Sequence, residues 1–122
     1  MNSAHTALKG ISSMATRQVL SDLATAWQAS GGEPLAIESV GGVDAANRVQ
    51  AGEEAFDVVF LASNAVDKLL ASGRAEAGSK VDLVLSSTAI AIPAGAVQPD
   101  ISSEDALRAA VLAAPSIGYS TG

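Results

Sequence analysis

Short apolar runs and amphipathic helical patterns alternate along this chain, and that alternation restricts the fold more than any single motif. Met14, Val19, Leu20, Leu23 and Trp27 recur at helical spacing within residues 13–30, with Ser12 or Ser13 as N-cap and Gly31-Gly32 as the stop. "PLAIESV" (34–40) reads as a strand, and "GVDAANRVQAG" (42–52) as a helix that starts near Asp44 and stops at Gly52. "AFDVVFLAS" (55–63) has the β-branched and aromatic content of a buried strand, and "NAVDKLLASG" (64–73) is a short helix closed by glycine. "KVDLVLSSTAIAIPAG" (80–95) predicts a long extended segment, and "SSEDALRAAVLAA" (102–114) a helix opened by a capping box, with Ser102 to Asp105 the better match and Ser103 to Ala106 the other. A first strand near "HTALKGI" and a last one at "SIGYSTG" (116–122) complete the order β-α-β-α-β-α-β-α-β. Alternation of this kind predicts an α/β fold, a mostly parallel sheet flanked by helices.

The length of 122 residues suffices for a small domain with its own core. Hydrophobic residues make up 48% but aromatics only 3%, so Ala, Val, Leu and Ile must fill that core. A formal net charge of -6 argues against nucleic acid as a partner, because a phosphate backbone needs a basic face. The absence of cysteine excludes disulfides and thiolate metal sites. No apolar run approaches the roughly 18 residues of a membrane span. Residues 1–10 lack the pattern of a signal peptide, which leaves a cytosolic chain or a mature exported one. "PAGAVQPD" (93–100) is the best candidate for a boundary or a long exposed turn.

In open parallel sheets, ligands rest beyond the carboxyl ends of the strands, where the following helices begin. Those ends here are Ser12-Ser13, Val40-Gly41-Gly42, Ala62-Ser63-Asn64 and Ser120-Thr121-Gly122. All are small, and most offer hydroxyls. Helix starts carry unpaired N–H groups and a partial positive charge, so an anion is the natural guest, and Gly41 and Gly42 would let it touch the main chain. The same residues have a plainer use: serine caps a helix, worth about 1 kcal/mol, and Gly-Gly makes a tight turn. Candidate ligand-binding residues are therefore Ser12, Ser13, Gly41, Gly42, Ser63, Ser120 and Thr121, with no metal site and no cofactor.

Catalytic constellations are sparse. His5, the single histidine, lies near the terminus, and without cysteine or a second histidine neither Ser–His nor Cys–His chemistry is supported. Asp57 falls inside the third expected strand, either as a carboxylate facing the sheet edge or as a partly exposed strand residue. Glu53 and Glu54 read as a solvated turn. Arg17, one helical turn after Ser13, either leans toward a guest or lies on the surface. "GGVDAA" lacks the Lys-Ser/Thr of a phosphate loop, and no dinucleotide fingerprint is present.

The stretches "ISSMATRQVLSDLATAW", "GGVDAANRVQAGEEAFDVVFLAS", "VDKLLASG", "VDLVLSSTAIAIPAG" and "IGYSTG" together resemble the molybdate-binding type of periplasmic solute-binding protein of ABC importers. The similarity runs from about residue 9 to the end. It implies a type II periplasmic-binding-protein fold, with two α/β lobes joined by a hinge and an oxyanion between them. On that pattern residues 1–80 form the first lobe, and 81–122 the hinge crossover strand and a partial second lobe of a truncated chain. The family's first serine corresponds best to Ser13, with Ser12 adjacent. Its second hydroxyl falls on Gly41 or Gly42, a departure that keeps main-chain donors, loses a side-chain donor, and leaves room for a bulkier anion. Ser120 and Thr121 match the second-lobe ligands loosely, and the family's later tyrosine has no counterpart.

The resemblance implies a periplasmic protein that captures a small anion, molybdate- or tungstate-like or a small carboxylate, and presents it to an ABC permease in the membrane. The alternative is an enzyme on the same scaffold, such as an isomerase of a small tricarboxylate of the aconitate type, for which Arg17 and Asp57 are the groups to test. A third possibility, the effector-sensing domain of a transcription regulator, lacks basic DNA-binding helices.

Overall fold

The computed structural model describes residues 7–119. They fall into two compact units that meet in sequence between Val84 and Leu85.

The first unit is an α/β layer built on a sheet of three parallel strands, β1 (Leu8–Ser13), β2 (Leu35–Val40) and β3 (Val58–Phe60), in the order β2-β1-β3. The register pairs Ser12 with Ser39 and Ser13 with Val40 on one side of β1, and Ser12 with Phe60 on the other. Three helices connect and follow the strands: α1 (Arg17–Ala29), entered through a 3₁₀ turn at Met14–Thr16, then α2 (Gly42–Ala51) and α3 (Ser63–Ala71).

Alternation along β1 sends Ile11 to one face and Gly10 and Ser12 to the other. Ile11 is fully buried there with Ala45 and Val49 of α2 and Leu69 of α3, and Val40, Val59, Leu61 and Phe56 close the cluster. Burying a side chain such as Ile11 or Leu69 contributes about 1.5–3 kcal/mol, so this face carries most of the unit's cohesion. On the opposite face α1 buries Leu20 and Ala24 but leaves Leu23 and Trp27 about half exposed. Gly31, at φ +95°, ends α1 in the left-handed region that glycine adopts without strain. A side chain at Gly32 would run into the Trp27 indole, so the Gly-Gly pair both stops α1 and lets its tryptophan fold back.

Arg48 of α2 bridges two carboxylates. It donates to Glu54 at 2.6 and 2.7 Å and to Glu38 of β2 at 2.6 and 3.1 Å, above the Phe56 ring. Its guanidinium holds both carboxyls below their ordinary range, and they in turn raise the arginine. Glu54 is thus pinned rather than the free turn residue its sequence context predicts.

The third strand is shorter than expected. Asp57 precedes it, where its N–H donates to the Lys9 carbonyl at 2.7 Å and its Oδ2 accepts from the Lys9 N–H at 2.8 Å. The long strand expected over 80–95 does not form. Its apolar residues are exposed, with Val81 82% and Leu85 101% accessible, because alternation confers β preference but a strand also needs an edge to pair with.

In the second unit, α4 (Glu104–Ala113) is capped by Ser103, whose hydroxyl accepts from the Ala106 N–H at 3.0 Å. Ser102, the better sequence match for that role, instead donates its N–H and hydroxyl to Asp100 at 3.0 and 2.6 Å, which keeps the Asp100 carboxyl below its ordinary range. Residues 116–119 form no strand, and 120–122 lie outside the described residues. No helix among the described residues is long and apolar enough to cross a membrane.

Candidate functional site

Three strand ends of a parallel sheet necessarily share one edge. The register places Ser13, Val40 and Phe60 at the carboxyl ends of β1, β2 and β3, and a helical segment begins at each: Met14, Gly42 and Ser63. Three of the turns expected to converge are therefore neighbours along a single rim. The fourth, at Ser120 and Thr121, lies outside the described residues.

The chemistry of this rim is set by what the helix starts lack. Ser13 precedes the 3₁₀ turn in extended conformation, and its hydroxyl makes no capping bond. Gly41 precedes α2 and Ala62 precedes α3, and neither start receives a side-chain cap. Ser103, in the second unit, caps its helix in the ordinary way. Uncapped starts leave main-chain N–H groups free for a guest, and an acceptor with negative charge satisfies them best. Ser13 and Gly42 are close neighbours: a Cβ built on Gly42 would sit 3.6 Å from the Ser13 Cβ. The glycine thus leaves a small notch beside the Ser13 hydroxyl.

The two adjacent serines of β1 have opposite fates. Ser12 is fully buried, and its hydroxyl donates to the Ser13 carbonyl at 3.0 Å and pairs with the Ser39 hydroxyl at 2.7 Å. Its hydrogen-bonding capacity is taken up inside the protein, so of the pair Ser12 and Ser13 only Ser13 remains open to a ligand. Ser63 begins α3 exposed, and its Oγ accepts from the Lys80 Nζ at 2.6 Å. Lys80 also reaches Asp67, one turn on in α3, at 2.7 Å.

Lys80 is the rim residue that sequence reasoning missed. The signal, a basic residue at the start of the expected extended segment, carries no information until the chain turns back over α3. Of the other candidates, Asp57 sits at the amino end of β3, on the edge opposite the rim. Arg17 lines a half-open depression of about 690 Å³ with Met14, Ser21, Thr25 and Ser39, between α1 and one face of β2. His5 lies outside the described residues.

Comparison with known proteins places residues 8–122 in a match to the family described as bacterial extracellular solute-binding protein. A protein of a Pseudomonas species named aconitate isomerase is 38% identical over 120 residues, which cover 94% of this chain and 45% of that protein. The chain thus spans about half the length of this curated relative. No solved structure gives a significant match.

Proposed function

This chain belongs to the bacterial extracellular solute-binding protein family, and we propose that it contributes the first lobe of a receptor that captures a small anion outside the cytoplasm, in the periplasm, for an ABC permease. The observation that carries this reading is the rim itself. Three uncapped helical starts lie along one sheet edge, with Gly42 at the start of α2 close beside Ser13. Ser13, Gly41, Gly42 and Ser63 are the ligand contacts in this lobe.

Between the two anion classes, the geometry favours a small carboxylate over a molybdate-like oxyanion. A desolvated tetrahedral oxyanion depends on donors counted one by one, each worth about 1.5–3 kcal/mol against a charge. Gly41 and Gly42 supply amides but no hydroxyl, and they leave space. The named relative supports the same class, since aconitate is a tricarboxylate. That relative also supports a second reading, isomerisation of such a substrate. Against it stand the lack of a clear general base in the sequence and the position of Asp57, one of the two groups to test, on the opposite edge.

The test is a calorimetric and thermal-shift series with molybdate, tungstate, sulfate, phosphate, citrate and aconitate. A ligand at a hundred times its Kd stabilises by about 2.7 kcal/mol. Ser13→Ala is expected to weaken the best ligand at least several-fold. Unchanged affinity would make this start structural only, and no shift with any anion would overturn the capture reading. Conversion of aconitate followed by NMR would promote the enzyme reading instead.

A further inference from the structure

Lys80 follows α3 in the sequence, yet its ammonium returns to the start of that helix. Nζ donates to Ser63 Oγ at 2.6 Å and to Asp67 Oδ1 at 2.7 Å. The lysine side chain is 28% exposed and that of Asp67 is 61% exposed. We propose that Lys80 is the specificity-determining residue of the rim, the group that makes it prefer di- and tricarboxylates to anions of lower charge. The inference rests on the anion-capture reading above and deepens it.

Two features of the Lys80 contacts set this preference. First, the Ser63 hydroxyl has one hydrogen, and with Nζ donating to its oxygen that hydrogen is left to donate outward. Lys80 thereby fixes Ser63 as a donor toward an acceptor at the rim. Second, the ammonium has three donors and uses two, and its ionic partner is an exposed carboxylate whose hold is weakened by solvent. A ligand carboxylate can take the third donor or replace Asp67 without leaving the lysine unpaired. Ser13 and the amides of Gly41 and Gly42 are neutral donors and respond to the local acceptor. Lys80 carries a positive charge in contact with a rim residue, so a second or third carboxylate that displaces Asp67 is drawn to it by Coulomb attraction. A compact spherical oxyanion has no additional arm to offer it.

The experiment is titration calorimetry of a carboxylate ladder, propionate, succinate and tricarballylate, against the protein and its Lys80→Met, Lys80→Arg and Ser63→Ala variants, with Tm measured in parallel. Affinity is expected to rise along the ladder in the parent protein. Lys80→Met should weaken tricarballylate about 10-fold more than it weakens propionate, and Lys80→Arg should keep most of the preference. Ser63→Ala should weaken all three while preserving their order. A uniform loss across the ladder together with a lowered Tm would reduce Lys80 to a tether for α3 and overturn the proposal. So would an unchanged ladder in Lys80→Met. Either result leaves the capture reading standing. If the parent protein binds neither the ladder nor any of the anions named above, the capture reading fails and this inference fails with it.

Discussion

The hydroxyls of Ser12 and Ser39 face each other across neighbouring parallel strands, 2.7 Å apart, at directly paired positions of β1 and β2. Ser12 has no exposed surface, so this contact satisfies polar groups the fold has already removed from water. Removing Ser39 leaves the buried Ser12 hydroxyl one partner short, and removing Ser12 loses both of its bonds. Ser12→Ala is expected to lower stability by about 1–3 kcal/mol, and the Ser12→Ala/Ser39→Ala pair by less than the sum of the two singles. Denaturant titration of the cycle measures this, and additive losses would show that the pair is not coupled. Ligand affinity should change far less in Ser12→Ala than in Ser13→Ala.

How far such a division between neighbours can be read without coordinates depends on the range of the contacts. The α/β architecture was legible because helical and strand periods differ and because Gly31 and Gly52, both at positive φ, stand where helices must stop. The shared rim was legible too, since parallel strands bring their ends together. The fates of Ser12 and Ser13 were not, because which serine faces inward depends on strand phase against partners 27 residues away. Ser102 and Ser103 present the same ambiguity at shorter range: Asp100 takes one hydroxyl and leaves the other to cap. Lys80 was invisible because its bond to Ser63 spans 17 residues and needs α3 to reverse the chain. Residues 80–95 show that alternation records a tendency to pair, not the partner.

The Glu38–Arg48–Glu54 cluster makes stability depend on acid. Hydrogen bonds from Arg48 hold both carboxyls below their ordinary value of 4.5. Below that value the unfolded chain binds more protons than the folded one, so stability falls as pH falls. The contribution is fully present above about pH 4.5 and is lost as pH drops through the lowered folded-state values. Because the three groups are partly exposed, added salt should also reduce it. Urea midpoints measured from about pH 7 down to about pH 3 should fall less steeply in Arg48→Met than in the parent. Equal slopes would place the acid sensitivity elsewhere.

Gly42 tests the choice of anion. Its backbone is not in the left-handed region, and a Cβ there would meet Ser13 Cβ at an ordinary 3.6 Å. Gly42→Ser should therefore fold, with a Tm close to that of the parent. It places a second hydroxyl beside Ser13 and narrows the notch. Affinity for tetrahedral oxyanions such as molybdate is expected to rise about 10-fold or more, by the worth of one hydrogen bond to a charge, while tricarboxylate affinity falls. Calorimetry with molybdate and citrate on both proteins decides it. A gain for citrate would mean that the notch does not set ligand size.

Asp57 separates the capture reading from the enzyme reading. It bonds to Lys9 through both its backbone N–H and its carboxylate, at the amino end of β3. The carboxylate thus extends the β1–β3 ladder by one main-chain donor that the short third strand would otherwise leave to water. Asp57→Ala removes that acceptor and is expected to destabilise by about 1–2 kcal/mol, since a charged acceptor is lost at an exposed strand end. Asp57→Asn retains an acceptor oxygen and should recover much of the loss. Neither variant should alter anion affinity at the opposite edge or any aconitate conversion the protein shows. If Asp57→Asn leaves stability intact but abolishes conversion, Asp57 takes part in the reaction and the rim is not where the substrate reacts.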